Sequence, residues 1–263
     1  MKHRVLPSIA VVTALVALVG CSATEDDTEK SQAGSTTAMA DVGDVAPALD
    51  AYHKKDVLRL WQRPGLSDRD RSLVTVAHMI AGGHTAELPF YVDKAIGDGV
   101  RPREISEAVT HLAFYSGWQN ARAAIPGIRS VFDERGVKKS ELPAVQPDLL
   151  PLDQEAEKTR DDDVRSDFDA VSPGVVESTR DVVFRDLWLR PDLRPRDRSL
   201  VTVVSLITNG QSEQLTYHLG RAMDNGLTSA QAGEMLNQLA FYAGWPRVFS
   251  ALPVAKDVLN SRT

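Results

Sequence analysis

The sequence predicts an all-α protein made of two copies of one helical domain. Three observations carry this prediction. RDRSLVTV at Arg69–Val76 returns letter for letter at Arg196–Val203, and LAFYSGW at Leu112–Trp118 returns as LAFYAGW at Leu239–Trp245. Both pairs lie 127 residues apart, and Arg69–Pro126 aligned with Arg196–Pro253 holds 22 identities in 58 positions without a gap. A period this long repeats whole domains and not solenoid units. Within each copy, apolar residues recur at helical spacing between Gly, Asn and Pro stop signals. The alternation and β-branched density of a strand series are missing.

In chain order, residues 1–20 read as a secretory signal. Lys2, His3 and Arg4 precede an apolar run from Val5 to Val19, shorter than a comfortable membrane span. Leu18-Val19-Gly20-Cys21 resembles a bacterial lipobox, so Cys21 is the expected lipidation site and mature N-terminus. Residues 21–45 are small, polar and free of aromatics and are expected to form a flexible tether. This layout predicts an exported bacterial lipoprotein anchored to the outer face of the cell membrane through the lipid on Cys21.

The first domain is expected over 46–136. A short helix should run from Pro47 to Trp61 and stop at Arg63-Pro64-Gly65. Ser67 is a plausible N-cap for the next helix, with Asp68 and Asp70 in its first turn. Leu73, Val74, Val76, Ala77 and Ile80 give that helix a broad apolar stripe, and Gly82-Gly83 stops it. A second helix is expected from about Thr85 to Ile96. A third opens at Pro102 with Ile105, Val109, Leu112, Ala113 and Ser116 on one face. A last one covers Trp118 to Glu134, bent near Pro126 and stopped by Gly136. The second domain, 166–263, repeats the order, with Pro195 at a helix start, Asn209-Gly210 as a stop and Thr228-x-x-Gln231 as a capping box. Between them, 137–165 is rich in Pro, Asp and Glu and reads as an exposed connector whose Leu149, Leu150 and Leu152 pack down.

Composition narrows the function classes. A formal charge of −6 with no Lys/Arg cluster gives no support for nucleic acid as a partner. Cys21 is the only cysteine, which excludes an intrachain disulfide, a Cys-based metal site and thiol redox chemistry. No Gly-rich phosphate loop, serine elbow or dinucleotide fingerprint is present. No metal site and no cofactor are expected.

RDRSLVTV, then QLxxHLxxAMxNGL, then LAFYAGW resembles the carboxymuconolactone decarboxylase family, whose fold is that of alkylhydroperoxidase D. The resemblance covers about Pro47–Arg135 and Pro173–Leu259. It implies a duplicated alkylhydroperoxidase D-like all-α fold, its two domains packed as an intrachain pseudo-dimer, and a homo-oligomer, with trimers of such fused pairs recreating a hexameric ring. The peroxidase branch of the fold uses Cys-x-x-Cys and a His four residues later. Those positions are His84, Glu87 and Tyr91 in copy one, and Gln211, Gln214 and His218 in copy two, so that chemistry has no thiol here. What remains is cofactor-free acid–base decarboxylation of a small carboxylated lactone or related enolisable acid.

If 84, 87 and 91 share one helical face, as do 211, 214 and 218, the catalytic candidates are His218, Gln214 and Glu87. His218, with a near-neutral pKa, is the expected acid that reprotonates carbon. Arg198 and Arg71 are candidates for a substrate carboxylate, with Glu213, His84, Tyr91 and Trp245 as further substrate-binding positions. Tyr115, Trp118, Tyr242 and Trp245 are expected as pocket walls. The structural alternatives are a solvated His84-x-x-Glu87 pair, packing roles for His78 and His111, an interface ion-pair network for Arg69-Asp70-Arg71, and a core role for Phe114, Trp118 and their twins. Copy two holds the more intact site, while copy one is degenerate or contributes residues across the interface. The competing function is a non-catalytic surface binding or assembly module that kept the fold.

Overall fold

A computed structural model describes residues 42–262, so the signal, Cys21 and most of the tether lie outside the described residues. Among these the secondary structure is helical throughout, with no strand. Val42–Val45 forms a short helical turn of its own. The chain from Ala48 onward makes one compact unit, in which both copies share a single hydrophobic core.

Copy one supplies four principal helices: α1 (Asp68–Gly82), α2 (Leu88–Gly97), α3 (Pro102–Tyr115) and α4 (Trp118–Glu134). After the connector helix α5 (Gln154–Phe168), copy two repeats them as α6 (Pro195–Thr208), α7 (Leu215–Asp224), α8 (Ser229–Tyr242) and α9 (Trp245–Asn260). The expected end signals operate as their chemistry requires. Ser67 accepts from the Asp70 N–H to open α1, and Thr228 and Gln231 form the reciprocal box that opens α8. Gly83 closes α1 at φ 68° and Gly210 follows α6 at φ 72°, a left-handed backbone that costs a residue with a Cβ about 1 kcal/mol or more.

α1 and α6 are the central pair and pack against each other. Each is buried on all sides from its third residue on, far beyond the single stripe read from the sequence. Their N-termini meet through reciprocal ion pairs: Arg69 Nη2 to Asp197 Oδ2 at 2.8 Å and Arg196 Nη2 to Asp70 Oδ2 at 2.7 Å. Such mutual contacts are the mark of an isologous interface, here closed within one chain. The interface is also interlocked. α3 of copy one packs on α6, and α8 of copy two packs on α1, so each copy covers the other's central helix.

Three expectations change. α2 begins at Leu88 because Pro89 occupies the first turn, where its missing N–H costs nothing. His84 and Glu87 therefore precede the helix instead of sharing a face with Tyr91. In copy two a separate 3₁₀ turn, Ser212–Gln214, likewise sits before α7, and Gln211 lies outside both. The connector holds a full helix, α5, capped by Asp153, and Leu150 N–H donates to the Leu189 carbonyl at 2.7 Å. Helix α5 has almost no apolar face; pairs such as Glu157–Arg160, Lys158–Asp162 and Arg165–Asp161 support it instead. Finally, Phe114 and Trp118 are 40% and 63% exposed, and Trp245 is 49% exposed, so these rings are not core. Gly117 and Gly244, both at positive φ, each precede a Trp that meets the Phe four residues earlier at a steep angle, 60° for Phe114–Trp118 and 66° for Phe241–Trp245. The core face of α3 and α8 is carried by Leu112 and Leu239 instead.

The segments ahead of each copy are not simple helices. A π turn at His53–Val57 precedes Leu58–Trp61, and a matching π turn at Thr179–Phe184 precedes a 3₁₀ turn at Leu187–Leu189. Each wide turn delivers a tryptophan, Trp61 or Trp188, onto the partner copy, and π turns of this kind cluster at functional sites.

Candidate functional site

The repeat creates two equivalent sites, each assembled from both copies. Site two takes His218 from α7 and Trp188 from the turn ahead of α6, and adds Glu107, His111 and Tyr115 from α3 of copy one. The His218 imidazole stacks on Trp188 with ring centroids 6.2 Å apart at 13°, and meets the rings of Tyr115 and Tyr217 edge-on at 5.3 and 5.0 Å. Trp188 Nε1–H donates to the Tyr115 hydroxyl at 2.9 Å, leaving the Tyr115 proton free to donate. His218 is 8% exposed, and its Nδ1 is buried without a hydrogen-bond partner among the described residues. Burial, then the nearby Arg221 charge, hold its pKa down at about 4, so the imidazole is neutral near pH 7. The near-neutral pKa expected from sequence is corrected by this environment.

Site one has the same geometry and different chemistry. Tyr91 stands where His218 does, stacked on Trp61 with centroids 6.2 Å apart at 11°. Trp61 Nε1–H donates to the Tyr242 hydroxyl at 2.9 Å, as Trp188 does to Tyr115. Here, however, Tyr242 is also bonded to the Tyr91 hydroxyl at 3.1 Å. The hydroxyl that is open in site two is closed off in site one. Burial first, then Tyr242, raise the Tyr91 pKa above its ordinary value, so this group carries no charge in the physiological range.

Beneath each site lies a buried ion pair that crosses the copies. Arg198, fully buried, gives Nη2–H to Glu107 at 3.0 Å and to the Arg190 carbonyl at 2.8 Å, and Arg190 grips the same Glu107 through Nε and Nη2. Arg71, also fully buried, does the same with Glu234 and the Arg63 carbonyl. These arginines hold the copies together; the expected role of Arg71 and Arg198 on a substrate carboxylate does not fit guanidinium groups so enclosed.

His111 is tied into this layer. Thr202 Oγ1 donates its single proton to the Arg198 carbonyl at 2.8 Å, so it accepts from His111 Nε2–H at 2.7 Å. The proton therefore sits on Nε2, and Nδ1 accepts from Arg198 Nη1 at 3.3 Å. Burial, then Arg198, keep the His111 pKa well below its ordinary value. In site one the Gln238 amide reproduces both bonds, donating to Thr75 and accepting from Arg71, each at 3.2 Å. An amide that replaces an imidazole bond for bond marks His111 as a structural donor–acceptor.

The other candidates fall elsewhere. Gln214 and Glu213 are exposed in the turn before α7, and no hydrogen bond joins either to His218. Glu87 is exposed ahead of α2, close enough to the Tyr91–Tyr242 pair for its charge to raise both pKa values further. His84 is exposed with its ring 5.1 Å from His78, and among the described residues no cluster suited to a metal is found. His78 itself is buried and bonded through Nδ1 to Thr208 Oγ1 at 3.0 Å, the packing role expected of it. Tyr115 and Tyr242 take their expected places at the sites, but Trp118 and Trp245 stand outside them; Trp188 and Trp61, not expected there, are the tryptophan walls.

Sequence reasoning missed Trp188, Glu107 and, above all, Arg221. It lies on α7 one turn beyond His218, with its guanidinium 4.3 Å from the Trp188 ring centroid, and donates to the Tyr217 hydroxyl at 3.1 Å. It forms no salt bridge among the described residues, and its Nε is buried without a partner. The signal was available: its repeat twin, Lys94, is also basic, sits 4.6 Å over Trp61, and pairs with Asp98 at 3.1 Å. Site two thus brings together a neutral imidazole, a free phenol proton, two aromatic walls and an unpaired cation.

Comparison with known proteins agrees with this architecture. The carboxymuconolactone decarboxylase family matches residues 44–128 and again 173–257. The 4-carboxymuconolactone decarboxylase of Acinetobacter baylyi is 35% identical over 78 residues, 30% of this chain and 58% of that protein. The nitrosuccinic acid decarboxylase of Metarhizium robertsii is 45% identical over 58 residues, 22% of this chain and 41% of that protein. The chain spans about half the length of the curated relatives it matches. With both copies matched over more than half its length and folded as the same interlocked helical unit, the chain belongs to the carboxymuconolactone decarboxylase family.

Proposed function

We propose that site two is a carboxy-lyase site that removes CO₂ from a small carboxylated lactone or related enolisable acid by acid–base chemistry, without a cofactor. The observation that carries this reading is the contrast at one repeated position: His218 beside an open Tyr115 hydroxyl and the unpaired Arg221, against Tyr91 sealed onto Tyr242. The decarboxylase names of the two relatives support the reaction class.

In this reading Arg221 holds a substrate carboxylate and the Trp188 and Tyr115 rings wall the reacting carbon. A low-polarity wall disfavours charge on the leaving carboxylate, and the Tyr115 O–H stabilises the enolate oxygen that develops as CO₂ departs. A bound anion offsets the field of Arg221, which lifts the His218 pKa and lets the imidazole take up a proton. His218 then delivers that proton to the carbanion and is recharged from solvent; the net reaction consumes one proton and yields CO₂ and the protonated product.

The test is CO₂ release from a panel that includes 4-carboxymuconolactone and nitrosuccinate. His218→Gln is expected to lower kcat/KM by about 10²–10⁴, whereas Tyr91→Phe should leave it within about twofold. Turnover that survives His218→Gln would overturn the assignment. The second reading, a non-catalytic binding or assembly module, draws on the sealed site one and on the exposed Phe114, Trp118 and Trp245. Under either reading these outer aromatics are the proposed contact surface of a homo-oligomer, such as a trimer of fused pairs.

The cellular setting is likewise a proposal. No described helix is long and apolar enough to cross a membrane. Attachment would rest on a lipid at Cys21, and cells labelled with a radioactive fatty acid should yield a labelled wild-type protein and an unlabelled Cys21→Ala variant. Equal labelling of the two would remove the anchor.

A further inference from the structure

Beside site two a half-open cleft of about 910 Å³ runs between the connector helix α5 and α7. Its size is at the upper end of what drug-sized ligands occupy, and a compact lactone would leave most of it empty. Phe184, Trp188 and Tyr217 give it aromatic walls, and Arg160 and Arg221 both lie over the Phe184 ring, at 4.2 and 5.4 Å.

Two of the carboxylates that line the cleft are held by arginines that line it too, and a third, Asp153, caps α5. Glu157 is gripped by Arg160 through two hydrogen bonds at 2.8 and 2.9 Å, and Asp224 is held by Arg262. Among the described residues of the cleft, Arg221 is the cation and Asp163 the carboxylate left without an ion pair. A second observation points to the same place. Of the buried polar atoms without a hydrogen bond among the described residues, Arg71 Nε and Arg198 Nε are twins across the repeat. The other five, Arg160 Nη1, Asp161 Oδ1, Ser212 Oγ, His218 Nδ1 and Arg221 Nε, belong to α5, to α7 or to the turn before α7. Of these five, Arg160 Nη1 and Arg221 Nε belong to residues that line the cleft. Buried polar groups are almost always satisfied, by protein, water or ligand, so these two donors ask for an external acceptor. Copy one offers no such demand, because Lys94 is paired with Asp98, and Val57 stands where copy two has Phe184.

We propose that this cleft binds an extended organic carboxylate, its carboxylate on the Arg221 guanidinium and its planar apolar body along Phe184 and Tyr217. The connector helix is then a wall that sets ligand length at site two. The inference shares with the functional reading only that Arg221 faces a carboxylate, and it is tested by binding, not turnover.

Calorimetric titration of the full chain with benzoate and with biphenyl-4-carboxylate decides it. The longer acid should bind about tenfold tighter or better, because a second ring is removed from water. Phe184→Ala should cut that advantage below about threefold with benzoate nearly unchanged, and Phe184→Leu, which keeps more of the packing, should fall between. Arg221→Gln should weaken both acids by about tenfold. Equal affinities, or an advantage that survives Phe184→Ala in a variant with a wild-type melting curve, overturn the proposal. His218→Gln separates the two readings. If it keeps both affinities, the cleft stands even where no carboxylate is turned over. Turnover of a compact lactone without preference for the longer acid keeps the decarboxylase and removes the cleft.

Discussion

The two sites of this chain differ at few positions, and the contrast shows which of them carry chemistry. Both keep the same scaffold: a tryptophan delivered by a π turn, a tyrosine from the other copy, a buried arginine and a glutamate that crosses the interface. Where His111 becomes Gln238, the hydrogen bonds survive, so the replacement is silent. Where His218 becomes Tyr91, a titratable group is lost and a neighbouring hydroxyl is sealed. Where Arg221 becomes Lys94, a free cation becomes a paired one. Conserving the frame of site one while closing its centre is what a chain does when the frame is needed for folding. Each frame is half of the interface between the copies, so neither can be discarded.

That argument makes the interface ion pairs the largest effect to test. Glu107 is 1% exposed and bonded to two arginines, one of them fully buried. Removing it in Glu107→Ala strands the Arg198 charge in the core, which should cost about 3–5 kcal/mol in urea unfolding with an unchanged slope. Glu234 is 15% exposed and its second partner, Arg63, reaches solvent, so Glu234→Ala should cost less. Equal losses would mean that the two halves of the interface are equivalent after all. Glu107→Gln, which keeps an acceptor, should recover part of the stability.

Much of the scaffold was legible because it rests on local chemistry. Ser67, Gly83, Gly210 and the Thr228–Gln231 box place helix ends through bonds made within a few residues. What was not legible depends on partners far apart in sequence. Periodicity shows that α1 has an apolar face, but not that α8 of the other copy covers it, so a contribution of copy one across the interface could be named only as an alternative, without its residues. Glu107 and Glu234 are identical at the repeat offset, a signal that went unassigned because a glutamate in an apolar helix reads as surface. Helix α5 was missed because charge pairs support it in place of an apolar stripe. The catalytic face was misplaced by Pro89, which starts α2 too late for His84 and Glu87 to share it with Tyr91. His218 was legible as the odd member of a repeated position. Its pKa was not, since burial among three rings is a tertiary fact.

That pKa gives the smallest of these tests and the one closest to the chemistry. Burial, then the Arg221 charge, hold the neutral imidazole of His218 at a pKa of about 4, and His78 beside site one is lowered to about 4 by burial, then by His84 and Arg247. In the unfolded chain both return to about 6.5. Between those values the unfolded state binds more protons than the folded one, so stability rises with pH across the window. The contribution is full above about pH 6.5 and is lost as pH falls toward 4, by about 3 kcal/mol per histidine. His218→Gln should therefore flatten the acid limb of a stability–pH profile, while Tyr91→Phe, whose hydroxyl does not titrate in this range, should leave it unchanged. Arg221→Gln tests the second cause alone. It should lift His218 part of the way toward its ordinary value, read from imidazole resonances in an NMR titration, with burial holding the remainder down. An unmoved His218 in that variant would mean that Arg221 does not share its site, and the carboxylate anchor of site two would have to be sought elsewhere.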